Sequence, residues 1–335
     1  MPVFNGERYL SRCINSIRQK ASENIEIILI NDGSTDNSGK ICDEFAKKDE
    51  SISVKHIQNS GVSIARNIGI SMSRGSWLFF LDCDDYIEQD TIDIINKCIS
   101  TNNQYDMILG SFNYVRKYSI DYIENRYYST EGVSLVPEYG LWKVKILMGS
   151  FVVKRAVVIN NKISFNENTL YGEDVEFINY CLINSKEVKV IPNPFFNYNI
   201  HEESAIGKVN FRRFDSFEAR SRTLNYIRER HPEKHNIEQL YTQILLPEAI
   251  IENIILLCRN GKNLYKIKKF LLQKNYYSIL QSAEDSEFTP DYLKIKIRKF
   301  LKNERLMWVE YFIIDLYYKF RENLGLFKRR IFGWK

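Results

Sequence analysis

Ile25-Glu-Ile-Ile-Leu-Ile30, followed at once by Asn31-Asp32-Gly33-Ser34, is an apolar, β-branched run that stops in turn chemistry. Such a run predicts a strand buried on both faces, as in a parallel sheet covered by helices. Tyr9, Leu10, Cys13, Ile14 and Ile17 recur at helical spacing before it. Ile41, Phe45 and Ala46 do so after it, with Asp36 or Ser38 as the cap of that second helix. Ser51–Ile57 reads as the next strand, Gly61–Met72 as a helix, and Trp77-Leu-Phe-Phe-Leu81 as another strand buried on both faces. Strands alternating with helices of roughly 10–15 residues predict βαβ units. The expected fold class is α/β, a mostly parallel sheet flanked by helices. Such an array opens with an apolar strand, yet only Met1 precedes Pro2-Val-Phe-Asn5. Either the first strand is short, or the start lies inside a longer gene product.

Farther along, Ser100–Tyr139 is irregular and rich in tyrosine, compatible with short strands and a loop over a binding face. Val152–Ile159 and Glu173–Ile183 read as helices, Phe195–His201 as a strand. From Phe211 the pattern is helical, through Phe211–Arg230, Ile237–Cys258 and Leu264–Leu272 to the basic, aromatic stretch Tyr292–Phe327. The predicted organisation is a sheet domain over 1–205 and a helical, basic C-terminal region over 206–335.

The 335 residues carry a net charge of +5, with 44% hydrophobic and 27% charged side chains. That ordinary composition excludes a mainly disordered, collagen-like or disulfide-scaffold chain. The charge is unevenly placed: residues before His201 hold 21 basic and 25 acidic side chains, those from His201 onward 26 and 17. Two different jobs for the two halves follow. No uninterrupted apolar run approaches the ~20 residues of a membrane helix, and no apolar segment follows a basic start as in a secretory signal. Six scattered cysteines without a CxxC pair fit a reduced compartment better than disulfides or a zinc site. The expectation is a soluble, cytosolic protein.

Asp82-Cys83-Asp84-Asp85 closes the apolar strand Trp77–Leu81. Ligands of open parallel sheets bind at the carboxyl ends of strands, and clustered carboxylates there repel one another unless a cation joins them. Hard oxygen ligands suit Mg²⁺ or Mn²⁺. The plainer reading is a solvated loop capping a helix over Glu88–Ile99. Asp32 is placed to accept hydrogen bonds from a nucleobase or ribose at the same edge, or simply makes an Asx turn. Arg66, in Gly61-Val-Ser-Ile-Ala-Arg66-Asn67, is a diphosphate partner beside a helix N-terminus or a structural ion-pair residue. The absence of GxGxxG and GxxxxGK[ST] argues against a dinucleotide oxidoreductase and a P-loop enzyme.

Read in order, Pro2-Val-Phe-Asn5, Asn31-Asp-Gly-Ser-Thr-Asp36, Gly61-Val-Ser-Ile-Ala-Arg-Asn-Ile-Gly69, Arg74-Gly-Ser-Trp77 and Phe80-Leu-Asp-Cys-Asp-Asp85 resemble the family-2 nucleotide-sugar glycosyltransferases of GT-A fold. Tyr171-Gly-Glu-Asp-Val-Glu-Phe177 and Tyr198-Asn-Ile-His-Glu-Glu-Ser204 match later blocks of bacterial polysaccharide-biosynthesis members. The resemblance covers 1–204 and implies roles position by position. Pro2, Phe4 and Asn5 line the nucleoside pocket, with Phe4 in place of a frequent tyrosine; Asp32 holds the base, and Gly61 and Arg66 lie near base or phosphates. Asp82 and Cys83 face the ribose and sugar, and Asp84 binds the divalent metal, with Asp82 and His201 as further ligands. Asp174 is the general base with Glu173 beside it, although a carboxylate at a helix start is also simply a cap. Trp142, in Gly140-Leu-Trp-Lys-Val-Lys145, and Asp85 fall on the acceptor side. Trp142 either stacks on a pyranose face or is a core tryptophan.

The expected activity is thus an inverting, metal-dependent transfer of a sugar from a nucleotide-sugar, a UDP-sugar above all, to a hydroxyl of a glycan or lipid-linked acceptor. The setting implied is cell-surface polysaccharide synthesis on the inner face of the cytoplasmic membrane. Tyr292–Lys335, with 12 basic and 4 acidic residues among Phe300, Trp308, Phe312, Phe320 and Phe327, suits an anionic membrane surface. A solvated bundle or a face for a second copy of the chain is the alternative, and no nucleic-acid motif accompanies the charge. The competing function is a weak or inactive truncated relative that serves as a membrane-associated assembly partner.

Overall fold

A computed structural model describes residues 1–18, 25–101, 104–126, 128–201 and 209–332, with side chains to residue 313. Two units are distinguished, Met1–Ile206 and Gly207–Lys335.

The first unit opens with Pro2–Val3 (β1), Leu10–Arg18 (α1), Ile27–Asp32 (β2), Ser38–Lys48 (α2), Ile52–Ile57 (β3) and Val62–Met72 (α3). Its strands form a parallel sheet in the order β1-β2-β3. Pro2 and Val3 are themselves the edge strand, registered on Ile30 and Asn31, and the Met1 amino group donates to Ile28 O at 2.9 Å. Val3, Leu10, Ile14 and Leu29 are buried together beneath it, so the run that predicted a buried strand does its work there. At the start of α2 the Asp36 carboxylate accepts the Ser38 N–H at 2.9 Å, meeting one of the donors a helix start leaves free.

The second sheet is built from Trp77–Phe79 (β4), Tyr86–Ile87 (β5), Met107–Arg116 (β6), Ser119–Ile123 (β7), Tyr128–Thr130 (β8), Phe151–Lys154 (β9) and Val188–Asn199 (β10). The helices Thr91–Thr101 (α4), Gly132–Gly140 (α5), Arg155–Asn160 (α6) and Glu173–Ile183 (α7) accompany it. Its path is β4-β9-β6-β10-β5, with β7 on β6 and β8 on β10. The α/β class with flanking helices is as expected, but parallel pairing is less extensive. It holds for β1–β3 and for β6 with β10, whereas the other described ladders of the second sheet are antiparallel.

Three segments differ from their sequence reading. Ser100–Tyr139 contains β6, whose residues Met107–Phe112 are all buried at the middle of the sheet; the tyrosines that obscured it sit at the strand's end and in its hairpin. Val152 and Val153 belong to β9 rather than to a helix, because their branched side chains pack between β4 and β6. The last strand begins at Val188, well before Phe195, and register shifts around Pro194 absorb the prolines that hid its start. Trp77–Phe79 is an edge strand, so only Leu78 of the three is fully buried.

A Cβ placed on Gly110 of β6 would sit 2.3 Å from Cδ1 of Phe195 on the neighbouring strand. Gly110→Ala is therefore expected to destabilise the unit by about 1–3 kcal/mol through overpacking, read as a lower urea midpoint.

The second unit consists of helices Asp215–Arg230, His235–Leu240, Leu246–Arg259, Leu264–Gln273, Tyr276–Asp285 and Asp291–Phe332. The last is interrupted at Asn303, and Tyr276–Asp285 is a helix the sequence pattern did not announce. His235–Arg259 is 25 residues long, its most apolar 18-residue stretch has a mean hydropathy of 1.4, enough by length and composition to cross a membrane, and 61% of that stretch is buried within the protein. Ile250, Ile254 and Leu257 from it, with Leu293, Ile297 and Phe300, are buried. Trp308 stacks on Phe312 and donates its indole N–H to Lys262 O at 2.8 Å, so part of the aromatic tail is used internally. Exposed apolar side chains remain at Ile295, Leu306, Val309 and Ile313. The side chains of Phe320 and Phe327, and residues Glu202–Ser204, lie outside the described residues.

Candidate active site

Carboxyl ends of strands and the loops after them bring the predicted residues together. Asp32, at the end of β2, is buried and accepts the N–H groups of Ser60 at 2.6 Å and Gly61 at 2.9 Å. It staples the loop entering α3, which the isolated Asx-turn reading did not foresee. Gly61 has φ +94°, a backbone conformation that favours glycine. Across from it Asn5, at φ 49°, donates its N–H to Ser34 Oγ and accepts the Thr35 N–H at 2.8 Å. Phe4 is left 49% exposed beside it, a free ring face at the sheet edge. A Cβ on Gly6 would lie 2.7 Å from Cys83 Sγ, so the loop after β1 and the acidic loop after β4 touch. Burial pushes the Cys83 thiol up to about 12, which keeps it protonated and inert.

Arg66 projects from the second turn of α3 and has only 5% of its side chain exposed. Its Nη2 donates to Asp82 Oδ1 at 2.8 Å and Oδ2 at 3.1 Å, while Nη1 stands 3.5 Å from Glu173 Oε1. The guanidinium also lies 5.2 Å from the centre of the Phe165 ring, which stacks in parallel on Phe177 at 4.0 Å. Asn67 fixes this arrangement, accepting the Phe165 N–H at 2.8 Å and donating to Phe165 O at 2.9 Å. Arg66 thus ties the acidic loop to the start of α7. Sequence reasoning missed Phe165 and the role of Asn67, because neither belongs to a periodic pattern and the contact spans 98 residues.

Glu173 opens α7 after Gly172, which has φ 91°, and is 13% exposed. Burial, then the neighbouring Asp174 charge, push its carboxyl up to about 7 against the pull of Arg66. Asp174 Oδ1 accepts the Val175 N–H at 2.7 Å, so the cap-like reading holds in part. Removing the cation between Asp82 and Glu173 leaves a carboxylate buried without its partner. Arg66→Met is expected to lose about 3–5 kcal/mol of stability, toward the lower end because Asp82 keeps 35% exposure, as measured by urea unfolding.

Asp84 Oδ2 lies 2.9 Å from His201 Nε2, and the His201 ring stacks on Tyr9 at 4.9 Å. Burial and the Asp82 charge raise the Asp84 carboxyl, while His201 opposes this. Asp85, expected on the acceptor side, is instead buried and accepts the Asn199 N–H at 2.8 Å. Burial, then Asp82 and Asp84, push it up to about 9, so it stays neutral and clamps the acidic loop to β10. Of the three expected metal ligands, Asp82 is turned to Arg66, and Asp84 and His201 remain adjacent. No group of three or more His, Cys, Asp or Glu side chains able to hold a metal occurs among the described residues. A carboxylate beside an imidazole still fits a hard divalent cation that takes its other ligands from water and phosphate. Trp142 is 55% exposed, which excludes the core reading.

Comparison with known proteins agrees with this architecture. The family model "Glycosyl transferase family 2" matches residues 1–147. Glycosyltransferase GlyA of Streptococcus pneumoniae is 41% identical over 128 residues, 38% of this chain and 18% of that protein, so the chain spans a small part of that relative. Minor teichoic acid biosynthesis protein GgaA of Bacillus subtilis is 26% identical over 306 residues, 88% of this chain and 65% of that protein. The crystal structure of S. aureus TarS 1-349 in complex with UDP-GlcNAc superposes with a TM-score of 0.67 at 17% identity, covering 93% of this chain and 87% of that chain. The fold is accordingly GT-A-like, and residues 1–147 are similar to the family 2 glycosyltransferases.

Proposed function

We propose that the chain transfers a sugar from a nucleotide-sugar donor, a UDP-sugar, to a hydroxyl of a glycan or lipid-linked acceptor by single displacement with inversion. The observation that carries this reading is Arg66, buried between Asp82 on the donor side and Glu173 beside the base. One cation joins a donor-side carboxylate to the carboxylate next to the base, and an inverting transfer needs one such base opposite the departing diphosphate. Asp174 takes the acceptor proton, held at the start of a helix; Glu173 and Arg66 set its orientation and field. Phe4 offers a stacking face for the base, and Asp32 keeps the loop before Arg66 in place. Asp84 and His201 hold Mg²⁺ or Mn²⁺, whose chemistry is charge stabilisation on the departing diphosphate. Calorimetry with UDP, with and without Mn²⁺, tests the reading. Metal-dependent binding is expected, and its absence would favour a non-catalytic assembly partner. A screen of UDP-, GDP- and dTDP-sugars for donor hydrolysis then identifies the donor.

The reading places the protein in cell-surface polysaccharide synthesis, peripheral on the inner face of the cytoplasmic membrane through 292–335. Its support there is the excess of basic over acidic residues and the exposed Ile295, Leu306, Val309 and Ile313. Deletion of 304–335 is expected to lower co-sedimentation with phosphatidylglycerol vesicles; unchanged co-sedimentation removes the membrane role.

A further inference from the structure

Asn31 and Asp32 end β2 with side chains on opposite faces of the sheet, as successive strand residues do. Asp32 holds the loop entering α3 through the Ser60 and Gly61 N–H groups. Asn31, only 6% exposed, does the equivalent for the turn after β2, because its Oδ1 accepts the Ser34 N–H at 3.3 Å. Ser34 Oγ accepts the Asn5 N–H at 3.1 Å, and Asn5 Oδ1 accepts the Thr35 N–H at 2.8 Å. That turn therefore clasps the loop bearing Phe4 and Asn5.

The Asn31 amide serves this turn in one orientation. With Oδ1 on Ser34, Nδ2 faces His56, the registered neighbour of Asn31 on β3, at 2.9 Å from Nδ1. An amide nitrogen donates and does not accept, so Nδ1 is the bare acceptor of the ring. The ring proton then sits on Nε2, which donates to Asp43 Oδ1 on α2 at 3.0 Å. The helix closes over the pair: a Cβ on Gly39 would lie 3.0 Å from Asn31 Nδ2 and 3.8 Å from His56 Nδ1.

A proton on Nδ1 would set two donors against each other across that contact. Asp43 favours the imidazolium, whereas the Asn31 amide tolerates the neutral ring alone. If the amide turns to present Oδ1 to the charged ring, the Ser34 N–H loses its acceptor. Of the other charged groups on α2, Lys40 pairs with Glu44 at 4.0 Å, and Lys47 and Lys48 lie in the last turn. On β2 the neighbouring charge is Asp32, on the opposite face and bonded to Ser60 and Gly61; on β3 it is Lys55, the preceding residue.

We propose that neutral His56 is a positioning residue for nucleotide binding: it orients the Asn31 amide, which keeps the Ser34 turn closed on Asn5, and protonation of its ring weakens UDP affinity. The inference rests on the nucleotide-sugar reading and deepens it, because it ties donor affinity to the protonation of a side chain that acts through Asn31 and Ser34.

The test is calorimetry with UDP and Mn²⁺ on the full chain as wild type, His56→Asn and His56→Leu, at about pH 8 and about pH 5.5, either side of the range in which imidazoles titrate. Asparagine carries an amide oxygen where histidine carries Nδ1 and takes no proton there; leucine carries no acceptor. One net hydrogen bond corresponds to about a five-fold change in affinity. At the higher pH, wild type and His56→Asn are expected to bind alike and His56→Leu about five-fold more weakly. At the lower pH, the wild type is expected to lose about five-fold more affinity than His56→Asn. Any loss shared by all three proteins belongs to other groups, the Asp84–His201 pair among them. An equal pH response in wild type and His56→Asn would overturn the proposal, as would His56→Asn binding as weakly as His56→Leu at the higher pH. Should His56→Leu not fold, the comparison of wild type with His56→Asn decides alone. UDP binding with a pH response shared by both overturns the role of His56 and spares the transferase; no UDP binding by the wild type at either pH overturns both.

Discussion

Asp174→Asn is expected to lower kcat by a factor on the order of 10²–10⁴ while leaving UDP affinity intact, the scale for losing the general base proposed here. The amide keeps the size of the carboxylate and an oxygen that can still accept the Val175 N–H, so the start of α7 should be preserved. Full turnover in this variant would remove Asp174 from the mechanism. The pH profile adds a second handle, because the neighbouring Glu173 is pushed up to about 7. Its charge completes the pair only above that value, so kcat/KM is expected to rise with pH through a limb near 7. Burial and the Asp174 charge raise it, so replacing Glu173 by glutamine should flatten that limb. A limb that persists in Glu173→Gln would assign it to another group.

The second large effect falls on the donor side. Asp84→Ala is expected to abolish the metal-dependent part of UDP binding, because it leaves His201 without its carboxylate partner at 2.9 Å. Asp85→Asn should behave differently. Asp85 stays neutral at about pH 7 and serves by accepting the Asn199 N–H, a task an amide oxygen also performs. Calorimetry with and without Mn²⁺ on both variants separates the roles. Equal loss in both would show that the loop, and not Asp84, is what the nucleotide needs.

Much of the site was legible because motif and topology coincide. The apolar runs ending in Asp32 and in Asp82–Asp85 marked strand ends, and ligands gather there in α/β sheets. The boundaries of α7 followed directly from its periodicity. Direction of pairing was less accessible. β4 and β9 are short apolar runs that suit parallel and antiparallel neighbours alike, and which one forms depends on partners more than 70 residues away. The inward turn of Asp85 was equally hidden, since the three aspartates of Asp82-Cys83-Asp84-Asp85 look alike until the N–H of Asn199 selects one. Arg66 was singled out as a diphosphate partner or a structural ion-pair residue, and its ion pairs with Asp82 and Glu173 became visible only when Phe165 and Asn67 closed the distance.

That closure has a consequence for recombination. Arg66 and Asn67 belong to the first half of the sheet domain, Phe165 and Glu173 to the second, and the hydrogen bonds between Asn67 and Phe165 join them. A chimaera that exchanges everything before β4 for the matching part of another such domain is expected to break this joint unless both of its sides travel together. The arginine, the asparagine and the loop before α7 are therefore expected to be exchanged without loss of stability only as one cassette.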